Sequence, residues 1–347
     1  VMNAGKQGEQ YVIYYGEKPK GVYEGKNLSP RQASRLAKQI QKDRFSDISQ
    51  DDVKMPSNTL EDITWKWSSF VPSLRRFRSE NIDFDRIEVG DSADPDPSYY
   101  LWGQFSRFLP IKYTLRVLAK LSYIPVGAVE LSHWAEYVRS GAPRIREALR
   151  SLDVRLRIRR GAQMASGFPK DTEKSIDRFV NHFCADIYSN GKMAGMAARL
   201  GLITNHGSKI QFTPTGSSYV RAPNSVFDGR GSPDGRTISD EEETILLLCI
   251  REQLPSEWEF MTNVRNWIEE GQNTPTLLTE KVAELYGEGT ETGWNEKQVP
   301  TYRGGVIGRL GELGLISREW SFRSVTYHKT GEMTYGEIKE TGEEVAE

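Results

Sequence analysis

The 347-residue sequence has little cysteine, little histidine and no apolar run near the ~18 residues of a membrane span. Only Cys184 and Cys249 occur, each inside a helix-like apolar pattern (NHFCADIY, ILLLCIRE). Two cysteines cannot staple a chain of this size, so a reducing, cytoplasmic setting without a membrane is expected. The opening VMNAGKQGEQ has neither an apolar core nor a small-residue cleavage site, and no secretory signal is expected there. With 37% hydrophobic and 27% charged residues, the composition is that of a globular protein, not a disordered or fibrous one.

Signatures of several chemistries are also missing. The four histidines and two cysteines give one close pair, His182 and Cys184, which reads as helix packing. Zinc needs three or four converging ligands, so no metal and no cofactor is expected. There is no GxxxxGK[ST], and Gly304, Gly305, Gly308 and Gly311 do not follow a strand, which argues against a phosphate loop. No GxSxG occurs. A metal-dependent nuclease would need an acidic residue on one strand and Glu-x-Lys on the next. Glu24-Gly25-Lys26 has no Asp before it, and Glu337-Ile338-Lys339 follows a stretch with no Asp after Asp240. Pro95-Asp96 and Pro233-Asp234 sit in loop-like sequence without a following Glu-x-Lys strand. The reading is therefore of a chain without its own catalytic centre.

Charge is present but unevenly spread. Residues 230–300 hold 6 Lys+Arg against 15 Asp+Glu, and 332–347 hold one Lys against six Glu. The overall net charge is −2, so the remainder carries +12, which is compatible with a polyanion partner.

The pattern along the chain predicts a mainly α fold with small β-wings. Residues 1–108 read as a mixed α/β region, with a strand at 9–16, a helix from Ser29-Pro30 onward and another through 60–77. Residues 109–221 form a first module. Its helices are expected at 111–123, 126–140, 142–153 and 170–190, followed by a short one at 192–200 that stops at Gly201. The wing LITNHGSKIQFTPTG comes next. A linker at 222–237 separates a second module, 238–331, from the first, and 332–347 is an acidic tail. Ser239 with Glu242, and Ser256 with Glu259, have capping-box spacing.

The two modules end alike. RLGLIT (199–204) matches ELGLIS (312–317), and each is followed by a candidate strand pair and a Thr-Gly, at Thr215-Gly216 and Thr330-Gly331. In both, a helix would bury a leucine, stop on glycine and feed a strand that pairs back through a wing.

At these residues the chain resembles winged helix-turn-helix proteins, most closely at 199–216. The run 101–220 also resembles the winged-helix DNA-recognition region of type II restriction endonucleases of the AlwI/FokI kind. The shared pattern is Leu109-Pro110 before a Leu-rich helix, ELSHWAEYV (130–138), then DIYSN…RLGLI…FTPTG (186–216). It covers about a third of the chain. The resemblance implies tandem winged-helix modules that read double-stranded DNA in a restriction or antiphage system. A separate nuclease or another defence-system subunit would then be a partner. A transcription regulator and a winged-helix protein–protein scaffold stay open as alternatives.

Candidate DNA contacts follow from position. Ser189, Asn190 and Lys192 open the short helix of the first module, and Arg199 points off its apolar face. Asn205 and Lys209 lie on its wing. In the second module Tyr302 and Arg303 lie in the first turn of the corresponding helix, while Thr301, Gly305 and Arg309 point away from its buried stripe. Its glycines would allow close approach to a backbone, of DNA or of protein. Arg318 and Arg323 lie on its wing. The densest basic cluster starts at Arg144 and runs through VRLRIRR (154–160). As a strand it would present Arg155, Arg157 and Arg159 on one face, suited to phosphates.

Overall fold

The computed structural model describes residues 2–7, 10–15, 18–24, 72–122, 128–155, 158, 163–188, 191, 193–228, 236–321 and 324–333. They fall in two compact units, 1–58 and 59–347. In the first, β1 (Met2–Gln7), β2 (Gln10–Tyr15) and β3 (Lys18–Glu24) form an antiparallel meander in that order. β2 is the strand expected at 9–16. Pro19 is tolerated because β3 is an edge strand, where a missing N–H breaks no ladder. The helix expected from Ser29-Pro30 lies outside the described residues.

The second unit is mainly helical with small antiparallel sheets. After a single turn, α1 (Pro72–Arg75), the chain reaches α2 (Leu109–Leu121), in which every residue but Lys120 is buried. Two residues of strand, β4 (Val129–Glu130), lead into α3 (Leu131–Arg155). The sequence predicts two helices here, and the structure has one, with Pro143 inside it. Trp134, Val138, Ala142, Ile145, Leu149 and Leu152 recur every three or four residues and are all buried. That unbroken stripe offsets the roughly 3 kcal/mol an interior proline costs.

α4 (Glu173–Phe183) stops earlier than the expected 190, because the following residues pair as β5 (Asp186–Ile187) with β6 (Met193–Ala194). That pairing also shortens the helix expected at 192–200 to one turn, α5 (Met196–Arg199). Met196, Ala197 and Leu200 still face the core, as their spacing predicts. The hairpin β7 (Ile203–His206) and β8 (Lys209–Phe212) follows, then α6 (Pro214–Arg221). β4 joins this hairpin to give a sheet of order β4–β8–β7.

The remaining elements are α7 (Asp240–Gln253), α8 (Pro255–Glu269), α9 (Pro275–Tyr286), α10 (Gln298–Glu312) and the hairpin β9 (Ile316–Trp320), β10 (Val325–Lys329). The Ser239–Glu242 capping box is present at α7. The one expected at Ser256–Glu259 is not. α8 starts at Pro255, and the Ser256 hydroxyl instead donates to the Pro97 carbonyl at 2.6 Å.

The expected linker is partly core. Asn224 and Phe227 are fully buried, and Asn224 donates to Thr237 O and to the Glu242 carboxylate. Around it lie enclosed charges from α2. Lys112 Nζ is 3.0 Å from Glu242 and donates to Tyr219 O and Ala222 O, while Arg116 pairs with Asp228 at 2.6 Å. Burial pushes the Lys112 ammonium down to about 8 against the opposing pull of Glu242. Within the second unit, the two stretches expected as separate modules are thus bolted together by buried polar groups.

Candidate nucleic-acid interface

The internal echo in the sequence is an echo in hydrogen bonds. Gly201 and Gly314 both take positive φ, +65° and +72°. Gly201 N–H donates to Ala198 O and Leu202 N–H to Ala197 O; Gly314 N–H donates to Gly311 O and Leu315 N–H to Leu310 O. Both are Schellman closures, which need a left-handed residue at the helix end. The hairpins then return to the same place. Thr213 N–H donates to Leu202 O and its hydroxyl to Gly201 O at 2.6 Å. Thr330 N–H donates to Leu315 O and its hydroxyl to Gly314 O at 2.8 Å. The structural counterpart of Thr330 is therefore Thr213, not the Thr215 suggested by the Thr-Gly pair. Beyond the hairpins themselves, β4 pairs with β8 in the first module, and in the second Tyr327 of β10 donates its N–H to Asn273 O, which is not in a strand.

The first hairpin projects a polar tip. Ile203, Ile210 and Phe212 are buried, whereas His206, Gly207, Ser208 and Lys209 are exposed. Gly207, at φ +62°, opens the two-residue turn. Asn205 is half-buried and its amide donates to Gly207 O, which holds the turn. Ser208 donates to Glu130, so the tip is fixed to the start of α3. Arg144 is exposed on α3.

Other expected contacts are occupied differently. Arg199 is ion-paired with Asp96 and its guanidinium stacks 4.0 Å over the Tyr99 ring, so as folded it serves the core of the unit and not its surface. Val154 and Arg155 end α3, so the strand that would align Arg155 with Arg157 and Arg159 is not formed at its first residues. The apolar stripe reaching Leu152 keeps the chain helical there. The Arg155 side chain and Arg157, Arg159, Ser189, Asn190, Lys192 and Arg323 lie outside the described residues.

In the second module, the face of α10 expected to point outward is covered by the chain's own residues 101–108. A Cβ on Gly305 would lie 2.6 Å from Gly103 Cα, and one on Gly308 would lie 2.6 Å from Ser106 O. The close backbone approach these glycines permit is to protein. Arg309 is fully buried, pairs with Glu257 at 2.6 Å and donates to Phe105 O at 2.9 Å. Its placement corrects the expectation that it contacts DNA. Glu312 completes the seam by accepting from Phe108 N–H and Leu109 N–H at the start of α2.

What α10 leaves open is its edge. Arg303 and Arg318 meet Arg107 around a cavity of about 310 Å³ between α10, the β9–β10 hairpin and residues 106–107. Among the described residues that line it there is no Asp or Glu. Arg303 donates Nε to Thr279, and Arg318 donates to Ile307 O at 3.0 Å. Burial and the neighbouring Arg107 hold Arg318 below the usual guanidinium range. Tyr302 does not reach this cavity; its ring stacks 4.0 Å from Trp294. Arg107 is not legible as a site residue in the sequence, where nothing in its spacing links it to Arg303. A second basic depression, about 410 Å³, is lined among the described residues by Arg75, Arg76, Asn81 and Lys120.

Among the described residues no group of three or more His, Cys, Asp or Glu could hold a metal, and no helix is long and apolar enough to cross a membrane. His182 packs edge-on against Trp102 and Phe105, and Cys184 is buried. No family model, curated protein or solved structure matches the chain.

Proposed function

We propose that the chain binds double-stranded DNA in a sequence-directed way through two winged-helix modules, as the recognition subunit or recognition fragment of a restriction or antiphage system. The observation that carries this reading is the repeated closure. In each module a helix ends on a left-handed glycine, a hairpin follows, and a threonine returns it to that glycine. The pairing of β4 with β8, and the single hydrogen bond from Tyr327 N–H to Asn273 O beside the two-stranded β9–β10 sheet, lend further support to this reading. Topology alone does not assign function. Charge supplies the second support, because two depressions are lined by cations, with no carboxylate among the described lining residues.

The modules have unlike roles in this proposal. The wing of the first, with Lys209 exposed, and the exposed Arg144 on α3 meet the duplex. In the second, α10 is sealed against residues 101–108 and braces the first module. That sealed face also favours a second reading, a winged-helix scaffold for protein partners. Electrophoretic or anisotropy titration with random duplexes separates the two. Binding with a steep inverse salt dependence supports DNA recognition, and no binding to any duplex at ~50 mM salt leaves the scaffold.

A further inference from the structure

The cavity beside α10 has a shape and lining that the side of a duplex does not match. It is concave and near the lower end of the size range of small-ligand pockets, about 300–1,000 Å³. Its lining includes three cations, Arg107, Arg303 and Arg318. The two terminal nitrogens of Arg303 have no partner among the described residues. The lining also carries aromatic and apolar groups, Trp320, Ile307 and Val325, and Trp320 is 40% exposed. Arg107 and Arg318 repel one another, and the lowered Arg318 reflects burial first and that repulsion second, partly offset by Tyr327 and Glu312, while Arg107 also acts on Asp153. An oxyanion would offset the repulsion, and planar guanidinium forks match phosphate oxygens two at a time. Inorganic phosphate alone would leave the aromatic lining unused. A stacked base inside a duplex could not present its face to Trp320.

We infer that this cavity takes a single nucleoside phosphate, its phosphate oxygens held by Arg107, Arg303 and Arg318 and its base laid against Trp320. Two sources supply that chemistry: a free mononucleotide, or one nucleotide displaced from the stack of a bound nucleic acid. The inference goes beyond duplex binding and does not require it.

The test is calorimetric titration of the full chain with adenosine and guanosine 5′-monophosphates, the two nucleosides and inorganic phosphate. Monophosphates are expected to bind at least tenfold tighter than nucleosides and than phosphate. Arg303→Gln should weaken monophosphates at least tenfold and leave nucleosides unchanged. Trp320→Leu should weaken monophosphates and nucleosides and leave phosphate unchanged. Thermal melts of both variants confirm that they are folded.

A duplex carrying 2-aminopurine identifies the source. A rise in its fluorescence on binding, lost in Trp320→Leu, assigns the cavity to a nucleotide of the nucleic acid. Monophosphate binding without that rise assigns it to a free nucleotide. If no monophosphate binds and the 2-aminopurine stays dark, the inference is overturned. The same is true if both variants bind as the parent does. Monophosphate binding by a chain that ignores all duplexes would leave this site standing and remove the duplex reading instead.

Discussion

Arg309 on α10 and Glu257 on α8 form an ion pair at 2.6 Å with both side chains fully enclosed. Glu257 also accepts the Leu101 N–H at 3.0 Å, and Arg309 donates to Phe105 O, so the pair ties residues 101–105 to the second module. Burial raises the Glu257 carboxyl above its usual range against the pull of Arg309. Arg309→Met should destabilise the protein by about 3–5 kcal/mol, because it strands a buried carboxylate. Adding Glu257→Leu should recover part of that loss. Urea denaturation of the two variants measures both effects. A loss below ~1 kcal/mol in Arg309→Met would show that the pair does not hold the seam.

The repeated closure gives a graded expectation. Thr330→Val removes one hydroxyl bond, to Gly314 O, and should cost about 1 kcal/mol. Thr213→Val removes two, the bond to Gly201 O and the cap accepted from Gly216 N–H, and Thr213 is buried. It should cost about 2–3 kcal/mol. Equal costs would mean that the cap on α6 contributes nothing.

Gly216 has no room for a methyl group. A Cβ there would sit 1.7 Å from Leu202 O, which is backbone and cannot swing away. Gly216→Ala should cost at least about 3 kcal/mol, at the upper end for overpacking. The melting temperature reports it directly, and a change within error of the parent would mean that α6 can shift away from the hairpin.

Much of the fold is legible in the sequence, and what is not has physical causes. The apolar spacing locates α2 to within a few residues, the Ser239–Glu242 spacing marks the start of α7, and Gly201 and Gly314 mark helix ends because a left-handed cap leaves few residue choices. Pro143 misleads, since a local rule about proline cannot weigh a buried stripe that runs past it on both sides. The helix expected at 192–200 is shortened by the β5–β6 pairing, which helical periodicity does not encode. The glycines of α10 announce close approach to a backbone without naming it, and the partner is residues 103–106. Arg309 looks like a surface cation for the same reason: its position off the apolar stripe is right, and the segment covering that face is invisible in the sequence. The cavity arginines come from distant stretches, and only Arg303 and Arg318 can be singled out.

Acid should weaken the fold through His182. Burial, reinforced by Arg178, lowers its pKa from 6.5 to about 4. Between those values the unfolded chain binds a proton that the folded chain excludes, so stability is intact above about 6.5 and is lost as pH falls toward 4. Melting temperatures across that window should drop more steeply for the parent than for His182→Leu. Parallel curves would assign the acid response to other groups.

Lys209 on the wing and Arg144 on α3 carry the phosphate expectation. Changing Lys209 and Arg144 to Glu should weaken binding to every duplex alike and lower the salt slope by up to about 0.9 for each phosphate no longer neutralised. Base preference should be unchanged, because phosphate contacts position without specifying. If affinity and slope are unaffected, the duplex path shifts to the run containing Arg155, Arg157 and Arg159.

Sequence-directed DNA binding is tested most directly by selecting bound molecules from a pool of random duplexes at ~0.15 M salt and measuring the winners against scrambled controls. The account predicts enrichment of one short motif, bound at least about 10³-fold more tightly than scrambled sequence. Recovery of an unenriched pool, or equal affinity for selected and scrambled duplexes, would contradict it.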